Sequence, residues 1–179
     1  MADTMKRIRW LIVLAVSMAF AVLVYTAIII RQPDHFKFRA AKFISAEYLG
    51  DDGVVLQKAS NDCGPSALKM LLDGAGIVVP QSEIERLIPL TEHGATMLDL
   101  RSAAQQKGVT LVGWKLSVDT LPDIRYPAIL FIRKNHYIVA DSIADNGLYA
   151  RDPSIGRIWI PEEKISHIWN GEALLIQSQ

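Results

Sequence analysis

The sequence predicts an α+β domain preceded by one membrane-length helix. Three observations carry that expectation. Residues 10–30 run for 21 positions without a charge, the next part of the chain patterns as short helices, and the last part patterns as short strands.

At 1.5 Å of rise per residue, 21 helical residues span the roughly 30 Å hydrocarbon core of a bilayer. A core helix would carry a polar stripe, whereas only Ser17, Tyr25 and Thr26 interrupt this run. A cleaved signal peptide is the rival reading. Lys6, Arg7 and Arg9 resemble its basic start and Ala19-Phe20-Ala21 its cleavage site, but the apolar run continues nine residues further. By the positive-inside rule those three basic residues hold the short amino end, residues 1–9, in the cytoplasm and send the domain across, with Arg31, Lys37, Arg39 and Lys42 as a partial counterweight. Gln32-Pro33-Asp34 stops the helix. Residues 31–44 mix basic and aromatic side chains without a clean period, which reads as a connector into a domain at 45–179.

Residues 63–72 place Ala67, Met70 and Leu71 at helical spacing, with Asn61 or Asp62 as N-cap, Pro65 in the first turn and Gly74 near the end. Ser82-Glu83-Ile84-Glu85 fits a capping box opening a short helix that Pro89 closes. Thr96-Met97-Leu98-Asp99 approximates the same box before a helix running through Lys107 to Gly108. The period then changes: 109–116, 128–132, 137–143, 148–151, 157–160 and 173–176 are short and rich in Val, Ile, Tyr and Trp, with Asn146-Gly147 as a hairpin turn. Helices followed by an antiparallel sheet make the domain α+β.

The 19 basic and 19 acidic side chains cancel. No basic stripe with interleaved aromatics marks a nucleic-acid surface, so nucleic acid is not expected as a partner. The single cysteine, Cys63, excludes an internal disulfide and a four-ligand zinc site. It is a buried apolar thiol or a nucleophile, and its position at a helix start, beside unpaired N–H groups and the positive dipole end, favours a thiolate.

Such a thiol needs a base. His35 lies in the connector, His93 in a loop between helices and His167 near Trp169, where surface or packing roles suffice. His136 stands at the mouth of a strand, where a sheet can hold its ring. A strand histidine is nevertheless more often structural than catalytic. Asp152 ends the strand that pairs with that of His136 and could orient the imidazole, or could simply open an Asp-Pro turn. Gln57, six residues before Cys63, could offer its amide to an oxyanion.

Taken together, the stretch from Gln57 through Asp62-Cys63-Gly64-Pro65 to Met70, then His136-Tyr137-Ile138-Val139, then Arg151-Asp152-Pro153-Ser154-Ile155-Gly156, resembles the double-glycine leader peptidases. These are papain-like cysteine peptidases that process bacteriocins, commonly as amino-terminal domains of peptide exporters. The resemblance covers about residues 52–160. It implies a papain-like fold, with Cys63 as nucleophile, His136 as general base and acid, Asp152 as orienting carboxylate and Gln57 as oxyanion donor. Gly94-Ala95-Thr96 also looks like the turn before the family's second or third helix. No cofactor is implied.

With an anchor in front and no ATP-binding or export domain behind, the expectation is a stand-alone member of a bacterial inner membrane. Its domain would face the periplasm or exterior, its substrate would be a peptide or protein, and a secretion apparatus is a candidate partner. A non-catalytic docking module of the same fold, or an amidase or transferase using the same Cys–His chemistry, are the rival functions.

Overall fold

A computed structural model describes residues 2–30 and 33–177, and these form two compact units, Met1–Phe36 and Lys37–Gln179. The first is dominated by helix α1, Ala2–Ile30, whose stretch Met5–Ile28 is long and apolar enough to cross a membrane. Its large apolar side chains, from Met5 to Ile28, are exposed. Arg31 and Gln32, where the sequence ends this helix, lie outside the described residues.

Helix α2, Pro33–Phe43, occupies what the sequence reads as an irregular connector. The missing period has a physical cause. Among its described side chains only Ala41 is buried, with Ile44 just beyond the helix, so the apolar side is too narrow to register. Strand β1, Glu47–Gly50, follows, and its half-exposed edge position leaves no apolar alternation to read.

Three helices then cover one face of the sheet: α3 (Cys63–Gly74), α4 (Gln81–Leu87) and α5 (Met97–Gln106). Thr96 forms the expected capping box, accepting from the Asp99 amide at 3.1 Å while the Asp99 carboxylate accepts from the Thr96 amide at 2.8 Å. The second box does not form. Helix α4 begins two residues earlier than a Ser82 cap would place it, with Pro80 in the N-cap position and no side-chain cap. Glu85, the carboxylate that would close the box, pairs instead with Lys58 at 2.9 Å.

Six further strands are β2 (Leu111–Lys115), β3 (Ala128–Ile132), β4 (His136–Ala144), β5 (Gly147–Asp152), β6 (Gly156–Pro161) and β7 (Trp169–Ile176). With β1 they make a seven-stranded antiparallel sheet in the order β1-β6-β5-β4-β3-β7-β2. The α+β fold with a helix-first, sheet-last order is therefore as the sequence predicts. A short helix α6, Glu162–Ile168, and a 3₁₀ turn at Val118–Asp123 add to the elements that the strand and helix periods reveal.

The hairpin between β4 and β5 turns on Asp145-Asn146, one residue before the expected Asn146-Gly147. Both residues have positive φ, 53° and 55°, the geometry of a type I′ turn. Gly147 is the first residue of β5 and is glycine for another reason: a Cβ there would stand 2.5 Å from the Trp159 ring.

Both faces of the sheet are covered, which explains the continuous apolar runs of its central strands. Ile129, Tyr137, Val139 and Leu174 pack under α3 and α5 together with Leu68, Leu71 and Leu100. Leu130, Ile132, Ile138 and Ala140 face the other way, against Ile158, Ile165, Trp169 and the end of α2. Replacing Thr96 by Ala removes the α5 cap and is expected to lower stability by about 1 kcal/mol in urea unfolding. An unchanged midpoint would mean that the box is not what holds the start of α5.

Candidate active site

Cys63 is the first residue of α3, and the helix around it is built for close approach. Asp62 precedes it as N-cap, but the Asp62 side chain makes no cap bond to the helix. It bends back and accepts the backbone N–H groups of Lys58 at 2.9 Å and Ala59 at 3.1 Å, tying down the turn that enters the helix. Pro65 has no N–H to satisfy, and the Ser66 amide returns to the Asp62 carbonyl. Gly64 faces the wall opposite: a Cβ there would lie 3.1 Å from Ala95 Cβ and 3.3 Å from Leu100. A larger side chain would push the start of α3, and Cys63 with it, away from the α5 entry.

His136 opens β4, and Asp152 closes β5. The two strands pair antiparallel with Val139 opposite Arg151, so the ends that carry His136 and Asp152 lie side by side. The His136 Nε2 and Asp152 Oδ1 atoms are 2.8 Å apart, with the Asp152 side chain almost wholly buried. Asp152 also forms the Asp-Pro turn that its sequence suggests. Its Oδ1 accepts from the Ser154 amide at 2.7 Å and the Ser154 hydroxyl at 2.6 Å. The turn and the histidine contact are thus one arrangement, since the same carboxylate oxygen serves both.

Burial by itself presses the His136 pKa down, but the hydrogen bonds that the ring donates to Asp152 and Cys63 and the negative charges of both outweigh it and hold the imidazole up at about 9. Burial pulls Asp152 the other way, upward. The hydrogen bond and charge of His136 and the two bonds from Ser154 prevail, leaving the carboxyl below its ordinary range.

Cys63 lines a cleft of about 460 Å³. One wall is Asn61 and the turn 92–95, and the other is the β3–β4 hairpin with Phe131, Lys134 and Tyr137. Gly94, with φ of +85°, lets that turn come close: a Cβ on it would stand 3.0 Å from the Asn61 carbonyl. The turn leads into Thr96, the cap of α5, where the resemblance expects it. Tyr137 closes the floor, donating to the Ala95 carbonyl at 3.1 Å.

Three of the four sequence candidates therefore converge, Cys63, His136 and Asp152. Gln57 comes near by its backbone, whose N–H donates to the Pro153 carbonyl at 2.8 Å. Its side-chain amide nitrogen donates to the Ala59 carbonyl at 2.7 Å, and the amide oxygen is buried without a partner. Of the other histidines, His93 borders the cleft but is almost fully exposed beside Glu92, and His167 is exposed in the last turn of α6. The side chain of His35 lies outside the described residues. No group of three or more metal-ligating side chains occurs among the described residues.

A sequence model of the Peptidase C39 family matches residues 51–179. The chain belongs to this family. Peptidase C39 relatives include an uncharacterised protein of Methanothermobacter thermautotrophicus, 33% identical over 138 residues that cover 75% of this chain and 95% of the relative. The colicin V secretion/processing ATP-binding protein of Escherichia coli is 28% identical over 121 residues, covering 68% of this chain and 17% of that protein. Among solved structures, a double glycine motif protease from an AMS/PCAT transporter in complex with its leader peptide shares the fold, with a TM-score of 0.67 at 24% identity over 70% of this chain and 91% of that one. The resemblance to double-glycine peptidase domains, and the papain-like fold it implies, hold.

Two residues whose contacts the sequence did not foretell hold the turns around this candidate site. Ser154 was signalled by its place two residues after an Asp in Asp-Pro-Ser, the spacing of an Asx turn. Asp62 was read only as a cap, because nothing local tells which way its carboxylate bends. Asp62→Ala would leave two amides without their acceptor, and a loss of about 1–3 kcal/mol in urea unfolding is expected.

The raised His136 pKa carries a stability signature. Its folded value lies above an unfolded value near 6.5, so its contribution is complete below about pH 6.5 and is lost as pH rises through about 9. The urea midpoint should fall between pH 7 and 10, and fall less in His136→Gln. An equal fall in both proteins would remove His136 as the cause.

Proposed function

We propose that the protein is a membrane-anchored cysteine endopeptidase that cleaves a peptide or protein at a small-residue, double-glycine-like site. The observation that carries the reading is the His136–Asp152 pair at 2.8 Å, set against Cys63 at the mouth of a cleft. Membership of a family whose relatives are peptidase domains of secretion transporters supports the peptide substrate.

In this reading His136 accepts the Cys63 proton, and Cys63 Sγ attacks the scissile carbonyl carbon. The carbonyl oxygen takes the negative charge and is met by the N–H at the start of α3 and by Gln57. The Gln57 amide gives one N–H to Ala59 and has a second left to offer the oxyanion. The imidazolium gives its proton to the leaving amine as the C–N bond breaks. A water, deprotonated by His136, then cleaves the thioester and frees the thiolate. Asp152 keeps the ring oriented and stabilises its protonated form, and Ser154 holds Asp152.

The anchor reading rests on residues 10–30, and orientation on Lys6, Arg7 and Arg9. It assigns the domain to the periplasmic or outer side of a bacterial inner membrane, with a secretion apparatus as a candidate partner. A protease added from outside to spheroplasts should remove a tag at the carboxyl end. Protection of that tag until the membrane is opened would reverse the topology.

The catalytic roles predict graded losses in single-turnover assays. Cys63→Ala should abolish cleavage with binding retained, and His136→Ala should come close to it. Asp152→Asn should be milder and should move the alkaline limb of kcat/KM, expected near pH 9, to lower pH. Gln57→Ala should cost about 10²–10³ in rate with little change in affinity. Full complementation of a deletion strain by Cys63→Ala would instead favour a docking module of the same fold.

A further inference from the structure

Residues 36–43 hold three phenylalanines, Phe36, Phe38 and Phe43, interleaved with Lys37, Arg39 and Lys42. In the second unit the fold leaves this combination in solvent. Phe38 is 53% and Phe43 79% exposed, although Ala41 and Ile44 beside them are buried in the core. At 100° per residue, Phe38, Lys42, Arg39 and Phe43 fall within an arc of about 140° on α2, and Ala41 and Ile44 fall on the other side. The patch does not end with the helix. Arg133, at the tip of the β3–β4 hairpin, lies over the Phe43 ring at 5.4 Å from its centroid, and it too is exposed.

The charges narrow the occupant. Lys37 is taken up by Asp51, but Arg39, Lys42 and Arg133 have no ion pair among the described residues. Exposed aromatic rings among unpaired cations suit a surface that is apolar just below a layer of phosphates. We propose that this face of the domain lies on an anionic lipid surface, with Phe38 and Phe43 entering the headgroup boundary and Arg39, Lys42 and Arg133 meeting phosphate groups. The inference rests on the anchor reading. Phe38 follows Ile30 by eight residues, a reach of at most about 28 Å, so an anchored chain keeps the patch within range of the bilayer. Lys134 adjoins Arg133 and lines the Cys63 cleft. The contact therefore holds the mouth of the cleft beside the membrane.

The test uses the full chain in lipid nanodiscs of phosphatidylcholine, with and without phosphatidylglycerol. A fluorophore is attached at Phe43→Cys in a Cys63→Ser background, with Val78→Cys, 87% exposed, as the control position. Spin-labelled lipid should quench position 43 several-fold more than position 78, more strongly with phosphatidylglycerol present, and Arg39→Glu with Lys42→Glu should abolish the difference. An anchored chain, resistant to carbonate extraction, whose position 43 is as open to an aqueous quencher as position 78 overturns the proposal alone. Release by carbonate overturns the anchor and the proposal together. Shielding of position 43 that depends on protein concentration and not on lipid overturns it in favour of a second copy.

Discussion

The seating of α3 against the sheet is the constraint on which the site depends. Cys63 comes from a helix and His136 from a strand far along the chain, and only the packing of Leu68 and Leu71 over Ile129 and Val139 brings them to one place. Gly64 sets how closely the first turn can approach the α5 entry. Interiors this closely packed transmit small volume changes, so the Cys63 position is a consequence of core shape as much as of its own local sequence.

A second fixed point ties the two halves of the site together. Arg151, the residue before Asp152, holds Asp141 across the hairpin through Nε and Nη2, at 2.9 and 2.7 Å, and its Nη1 donates to the carbonyls of Gly53 and Met70 at 3.2 and 3.3 Å. One side chain therefore touches β4, the loop leading to Gln57 and the body of α3. A planar guanidinium with five donors can make that set of bonds at once, and an ammonium cannot. Gln57 donates to the Pro153 carbonyl, just past the end of the same strand. The loop before Cys63 is thus pinned both before and after Asp152, and the geometry of the three converging residues does not rely on any one element.

The electrostatics follow from the same closeness. A buried carboxylate is costly unless it is bonded, and Asp152 has three donors on one oxygen. Those donors keep it ionised, and its charge in turn helps hold the His136 proton against the opposing pull of burial. Asp62 solves the same problem differently, with two backbone amides and no cation. Each carboxylate fixes a turn.

Much of this was legible in the sequence. The apolar run of 10–30, the change from helical to strand period and the Thr96 capping box rest on local pattern and hold because those signals are short-ranged, whereas the grouping of Cys63, His136 and Asp152 was legible only as motif order and is made by tertiary packing. What the sequence left open needed long-range contacts. Helix α2 was hidden because Ala41 alone among its described side chains is buried, and the Ser82 box failed because α4 starts from Pro80. The hairpin turns on Asp145-Asn146, one residue earlier than expected, and Gly147 is held to glycine by Trp159, twelve positions away. The direction of a polar side chain is the least legible feature of all. Gln57 turns to Ala59 and Asp62 to Lys58 and Ala59, since each hydrogen bond is worth about 1 kcal/mol and the choice between partners is settled by where the finished fold leaves an unpaired amide or carbonyl.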